Sequence, residues 1–290
     1  RCDLLLAIGT RFSDRVIGDP KRFAGRAKIV QIDIDPAEVN KNIAVVDSLV
    51  GSIKDALSRL VPLVEKRKAS EWNAKIDEWK AEVPPSWKQS GKLFPKSIFE
   101  YVNGKVSSDT IITTEVGQHQ MWTALFYHFE KPRTFLTSGG LGTMGFGTGA
   151  AIGAQFANPD KTVVHFAGDG SFRMNCNELA TISHYGLPII IIIFNNGALG
   201  NVRQWQTLFY EKRYSATTLD FAPDFVKLAD AYGVAGVRVT SEAEFKKAFD
   251  AALASGKPAV IDAAIDKDEM VLPMIPPGKS VDRIMMDIDL

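Results

Sequence analysis

Thr162-Val-Val-His-Phe-Ala-Gly-Asp-Gly-Ser171, followed by Pro188-Ile-Ile-Ile-Ile-Ile-Phe-Asn-Asn196, carries two strand signals in succession, each ending in polar residues. The apolar run Thr162–Ala167 stops at Gly168–Asp169–Gly170, which places Asp169 at the carboxyl end of a strand. Gly170–Ser171 then opens a helical segment, Met174–Tyr185, and a second apolar run, Pro188–Phe194, ends at Asn195–Asn196. Two parallel strands joined by one helix bring Asp169 and Asn196 side by side at one edge of a sheet. Open α/β sheets bind ligands at that edge. Two hard oxygen donors beside glycine-exposed backbone N–H groups suit a Mg²⁺ ion bridging to a diphosphate. Taken singly, Gly-Asp-Gly reads as a strand-to-helix turn with Asp169 as a helix cap, and Asn-Asn as a polar loop. Their βαβ spacing favours the ion.

Working outward, the same alternation of strand and helix continues. Upstream come a helix at Lys96–Val106, a strand at Thr110–Glu115, a turn at Val116–His119, a helix at Gln120–His128 and a short strand at Phe135–Leu136. Ser138–Gly149 holds six glycines in twelve residues and is expected to be irregular, with a helix only from Ala150 to Ala157. Downstream, helices are expected near Asn201–Phe209, at Pro223–Tyr232 and at Ser241–Ala254, and strands at Val237–Val239 and Ala259–Ile265. This is a doubly wound α/β domain with a parallel sheet.

The first 65 residues read as part of a Rossmann-like domain, with strands at Leu4–Ile8, Ile29–Ile34 and Asp47–Gly51. A helix, Ser52–Glu65, follows with Ser52 as its N-cap. Residues 66–94 are a charged linker with a surface helix at Glu71–Glu82 and a Pro84–Pro85 to Gly91 segment. Residues 95–268 form the second domain, and residues 269–290 an irregular, Pro-containing tail.

Composition narrows the function classes. Lys and Arg total 34, as do Asp and Glu, so no net basic field points to nucleic acid. Apolar content of 46% with 23% charged residues fits a globular protein, and the apolar run Leu187–Phe194 is too short to span a bilayer. Two distant cysteines, Cys2 and Cys176, argue against a disulfide framework and for the cytoplasm. The chain opens Arg1–Cys2–Asp3 without an initiator Met or a signal-peptide pattern, and an upstream part of the protein is expected to be missing.

Gly-Asp-Gly followed at this distance by Asn-Asn resembles the thiamine-diphosphate signature. Longer stretches resemble the large, catalytic subunits of acetolactate synthases (acetohydroxyacid synthases). These are Gly117-Gln-His-Gln-Met-Trp122, Thr137-Ser-Gly-Gly-Leu-Gly-Thr-Met-Gly145, Val202-Arg-Gln-Trp-Gln206, Leu208-Phe-Tyr210 and Val271-Leu-Pro-Met274. The resemblance implies the end of a central, flavin-associated domain followed by a thiamine-diphosphate-binding domain. Carried over residue by residue, Val116, Gly117, Gln118, His119, Gly168, Gly170 and Ser171 surround the diphosphate. Asp169, Asn196 and the Ala198 carbonyl ligate the Mg²⁺, and Leu199 lies beside the cofactor. Gly142 offers its carbonyl to the aminopyrimidine, and Met144 is the apolar wedge that keeps the cofactor bent. Trp205 shapes the pocket for the second substrate, and Arg15 approaches the substrate carboxylate.

Blander readings stand beside these. His119 reads equally as a hydrogen-bonded turn histidine, Met144 as core filler, Trp205 as a core cover and Arg15 as a solvated surface group. Gly9-Thr-Arg-Phe-Ser-Asp-Arg15 resembles the flavin-associated segment, so Arg11, Asp33 and Ile34 are assigned to FAD in the full-length enzyme. Ser13 and Ser52 depart from the Asp common in the family, as do Asn201 and Gly149 from Met and Pro.

The implied activity is a thiamine-diphosphate-dependent transferase of branched-chain amino acid biosynthesis. It decarboxylates pyruvate and ligates the hydroxyethyl unit to pyruvate or 2-ketobutyrate. The resemblance further implies a homodimer or homotetramer with the active site shared between chains, and a regulatory small subunit as a further partner. The family's activating glutamate lies in a partner chain's N-terminal domain, to which nothing here corresponds, so the 290-residue chain is expected to be inactive by itself. The alternatives are another thiamine-dependent 2-keto acid decarboxylase or oxidase, and a non-catalytic cofactor-binding module.

Overall fold

Runs of β-branched residues bounded by turn formers become strands in the computed structural model, which describes residues 2–66, 68, 70–82 and 93–287. The described residues divide into two compact units, one of residues up to 82 together with 272–287, the other of residues 93–271. The expected linker from Pro84–Pro85 to Gly91 lies outside the described residues.

In the first unit β1 (Leu4–Ile8), β2 (Lys28–Asp33) and β3 (Asp47–Val50) form a parallel sheet in the order β1-β2-β3. Ala7, Phe12, Ile17, Ile29 and Ile43 are its buried core. The helix Ile53–Leu60 is capped by Ser52, whose hydroxyl accepts the Asp55 N–H at 3.4 Å. It stops short of the expected Glu65 and passes into a single 3-10 turn, Val61–Leu63, because Pro62 has no N–H to continue the ladder. Residues 272–287, expected as an irregular tail, belong to this unit: Met274 and Met285 form an antiparallel bridge, and Arg22 pairs with Asp282 at 2.9 Å.

The second unit carries β4 (Ile111–Thr114), β5 (Phe135–Leu136), β6 (Val163–Gly168), β7 (Ile189–Asn195), β8 (Ala235–Val239) and β9 (Ala259–Ala264). They form one parallel sheet in the order β5-β4-β6-β7-β9-β8. The isoleucine run is a strand buried on both faces, and its period of two divides it between two cores. Ile190, Ile192 and Phe194 pack with Ile98, Phe99, Val102, Trp122, Phe245 and Phe249 on one side. Ile189, Ile191 and Ile193 pack with Ala151, Ala154, Leu179, Ile182 and Phe225 on the other. Among the described residues, no helix is long and apolar enough to cross a membrane.

Register positions the site. β6 and β7 pair from Val163 with Ile189 to Gly168 with Phe194, so Asp169 and the Asn195–Asn196 pair leave the sheet at the same level. The chain runs from β4 outward to β5 and then returns past β4 to β6, so β4 and β6 flank a topological switch point, where such sheets open a crevice.

Two helices differ from the sequence expectation. The helix expected from Ala150 begins at Phe146, inside the glycine-rich run. Gly147 is there for close approach: a Cβ on it would come within 2.6 Å of the Thr114 carbonyl and overlap the His165 ring. The segment expected as one helix at Met174–Tyr185 is instead a 3-10 turn at Cys176–Glu178 and a helix at Leu179–His184, preceded by a separate turn of helix at Asp169–Phe172. Asn175 leaves helical geometry, and its side-chain amide donates to the Gly145 carbonyl at 3.2 Å.

Candidate functional site

The carboxyl ends of β4, β6 and β7 converge on one cavity of about 160 Å³. After β4 come Val116, Gly117, Gln118 and His119; from the end of β6, Gly168 to Ser171; after β7, Asn196 and Ala198 to Val202. Met144 reaches it from the glycine-rich loop, and Trp122 and Phe194 form its apolar floor. The backbone must pass close: a Cβ on Gly168 would stand 2.8 Å from the His119 ring, and one on Gly170 2.8 Å from Leu199.

Asp169 is 1% exposed, and its carboxylate accepts the Gly197 N–H at 2.9 Å. The acid after β6 is thus tied to the residue that follows Asn196. Burial pushes its carboxyl up to about 7, against the amides of Gly170, Gly197 and Asp169 itself, and the charge of Asp262 adds to the rise. A carboxylate so buried is stabilised by a cation. The Asn196 side-chain oxygen accepts the Ala198 N–H at 3.1 Å, which leaves one of its two lone pairs for a cation. Among the described residues no three His, Cys, Asp or Glu side chains group as metal ligands, so an ion here draws on amide oxygen, carbonyl oxygen and its own ligand's oxygens.

His119 is 3% exposed and lines the cavity, and its buried Nε2 has no hydrogen-bond partner among the described residues. Burial pushes its ring down to about 3, so it is neutral and presents a buried polar atom to an incoming group. A buried acid and a neutral imidazole whose Nε2 has no partner among the described residues line the same cavity, and together they fit a metal-bound anion.

Gln118 plays a part that its sequence motif did not reveal. Its Oε1 accepts from the Asn196 amide at 3.2 Å, while its Nε2 donates to Gln204 Oε1 at 3.0 Å and to the Glu269 carbonyl at 2.8 Å. It braces Asn196. Gln204, missed by the sequence reading, completes the brace by exchanging hydrogen bonds with the backbone of Val271 at 2.9 and 3.0 Å. The signal available was its position next to Trp205, on the buried side of the same helix.

Glu269, beside this brace, has its carboxyl pushed up to about 7, chiefly by burial and further by Asp266. Between its ordinary value of 4.5 and about 7 the folded chain keeps a proton that the unfolded chain releases. The stability it contributes is therefore complete below pH 4.5 and lost as pH rises through 7. Glu269→Gln is expected to flatten the fall in melting temperature over that interval; an unchanged slope would refute the assignment.

The remaining sequence candidates fall elsewhere. Gly142, at φ +76°, is exposed on the glycine-rich loop and does not line the cavity. Trp205 lines a neighbouring depression of about 570 Å³ with Gln206, Tyr210 and Arg213; Asn201 and Val202 line both. Arg15, Arg11, Asp33 and Ile34 belong to the first unit. There Arg15 is exposed and paired with Asp14 at 3.5 Å, the Arg11 carbonyl accepts from Asn42, Asp33 holds the Asp35 N–H at 3.0 Å, and Ile34 is 70% exposed.

Comparison with known proteins places the chain in a family. Residues 115–263 match the thiamine pyrophosphate enzyme C-terminal TPP binding domain, and residues 1–60 the thiamine pyrophosphate enzyme central domain. The chain is 47% identical to a probable acetolactate synthase large subunit of Methanocaldococcus jannaschii, over 99% of the chain and 50% of that protein. It is 45% identical to the acetolactate synthase large subunit of Corynebacterium glutamicum, over 100% of the chain and 48% of the relative. With the acetolactate synthase isozyme 2 large subunit of Escherichia coli it shares 42% identity, over 96% and 50%. The chain spans about half the length of these relatives.

Proposed function

The chain belongs to the thiamine pyrophosphate enzyme family, and from that premise we propose that its second unit holds thiamine diphosphate through Mg²⁺ and that the whole protein is an acetolactate synthase catalytic subunit. The reaction joins two 2-keto acids with loss of CO₂, pyruvate being the donor and pyruvate or 2-ketobutyrate the acceptor. The observation that carries this reading is the meeting of Asp169 and Asn196 in one cavity, with the Gly197 N–H on the Asp169 carboxylate.

In this reading Asp169, the free lone pair of Asn196 and the Ala198 carbonyl hold the metal, and Gln118 keeps Asn196 in place. Gly117, His119, Gly168, Gly170 and Ser171 surround the diphosphate, with His119 Nε2 as a polar contact. Met144 with Leu199 supplies the apolar wall that fixes the aminopyrimidine's orientation and excludes water, while the role toward its amino group that the family resemblance implies for Gly142 lies outside the cavity lining. Bound there, thiamine diphosphate supplies a carbon nucleophile and an electron sink for the departing carboxylate. The depression around Trp205, which shares Asn201 and Val202 with the cavity lining, receives the acceptor. For the first unit the same reading assigns Arg15 to the substrate carboxylate, and Arg11, Asp33 and Ile34 to FAD. A shared-site homodimer or homotetramer, a regulatory small subunit and a cytoplasmic setting complete it.

Thermal unfolding of the purified chain tests the cofactor site. Thiamine diphosphate at a hundred times its dissociation constant, with Mg²⁺, is expected to stabilise the fold by about 2.7 kcal/mol, a rise of several degrees. Chelation of the Mg²⁺ is expected to abolish the rise, and absence of any response with Mg²⁺ present would overturn the reading. With pyruvate, the full-length protein is expected to release acetolactate; acetaldehyde as sole product would overturn the ligation step.

A further inference from the structure

Glu115, directly after β4, has no part in the site described above, yet it is a fully buried acid. Its Oε2 accepts the Gly145 N–H at 2.6 Å, and its Oε1 accepts the Thr148 N–H at 3.0 Å and the Thr148 hydroxyl at 3.1 Å. His165 Nε2 stands 3.7 Å from the same Oε1, and the other nitrogen of that ring shares a hydrogen bond with Thr113 at 2.8 Å. Burial pushes the Glu115 carboxyl up, but His165 and the backbone amides more than offset this and hold it below its ordinary value. The acid is kept ionised.

A buried charge survives where several donors are aimed at it, and here the backbone donors come from one place. Gly145 is the cap, at φ +89°, of the helix Phe146–Ala157, and Thr148 lies in its first turn, where backbone N–H groups have no partner within the helix. Gly145 directly follows Met144, which lines the cavity, while Val116 and Gly117, directly after Glu115, line the cavity as well. One residue thus joins two walls: its backbone leads into one, and its side chain grips the loop that carries the other.

We propose that Glu115 is a positioning residue, whose carboxylate clamps Gly145 and Thr148 and so holds Met144 at its place on the cofactor cavity. The effect on cofactor binding rests on the reading of the site given above; the clamp does not. Glu115→Gln tests both. Glutamine has a single acceptor oxygen, so either the Gly145 or the Thr148 N–H is left facing an NH₂ group.

In the 290-residue chain, amide hydrogen exchange over residues 138–148 is expected to quicken roughly tenfold in Glu115→Gln, with β6 and β7 unchanged. Apparent affinity for thiamine diphosphate with Mg²⁺ is expected to fall roughly tenfold as well. Thr148→Val, which keeps both amide bonds and loses only the hydroxyl, is expected to stay within about twofold of wild type in both measurements. Unchanged exchange over 138–148, or an equal rise throughout the second unit, would overturn the clamp. A local rise in exchange with affinity intact would overturn its role toward the cavity. A wild-type chain that ignores thiamine diphosphate would overturn the cofactor reading, and the exchange contrast would then decide the clamp alone.

Discussion

Asp169→Asn is expected to lower affinity for Mg²⁺ with thiamine diphosphate by at least a hundredfold while the chain stays folded. Loss of a residue that merely orients a metal ligand costs roughly 10–100-fold in metal affinity, and loss of the charged ligand itself costs more. The substitution is nearly isosteric and leaves an oxygen for the Gly197 N–H, so the two strand ends stay joined. It also removes a 1%-exposed carboxylate that has no ion-pair partner among the described residues, so the ligand-free variant is expected to unfold at no lower temperature than wild type. Titration calorimetry and melting curves at matched Mg²⁺ check both parts. Binding of wild-type strength in Asp169→Asn would remove the metal from the proposal; a variant that binds nothing and is also unfolded would show that the residue serves the fold.

The second large effect is on stability. Phe99→Ala is expected to cost the second unit about 3–5 kcal/mol, the range for emptying a buried aromatic position. Phe99 is fully buried, with its ring centroid 4.6 Å from that of Phe166 on β6 and 5.3 Å from that of Phe194 on β7. These rings come from three elements, so no small shift closes the hole. Phe194 also floors the cavity and would lose its backing. Urea unfolding of the second unit should show a lower midpoint at an unchanged slope. Phe99→Leu, which conserves most of the volume, is expected to cost less than about 1.5 kcal/mol. A loss below 1 kcal/mol in Phe99→Ala would show that the sheet is not packed around this ring.

Much of the fold was legible because strand signals are local. The isoleucine run and the apolar stretch before Gly168 read as strands from residue type and boundaries alone, and the α/β class follows from their alternation with helices. The start of the helix at Phe146 was not legible. Six glycines in twelve residues resemble a loop until one sees that Gly147 is there because Thr114 passes too near for a Cβ. Asp169 and Asn196 were found because their spacing translates into neighbouring strand ends. Gln118 as a brace, Gln204 and Glu115 were not, since each matters through a partner far along the chain: Glu115 grips Gly145 across 30 residues, and Gln118 reaches Glu269 across 151.

The order of amino acids by itself determined where the strands lie, that they run parallel, and that an acid and an amide leave the sheet at the same level. Those properties depend on periodicity and turn chemistry acting within a few residues. The assembled fold alone sets which side chains hold others in place and which keep a lone pair or a nitrogen for a ligand. A hydrogen bond is settled by distance and direction in space, and residues separated by a hundred positions acquire these only when the sheet is assembled.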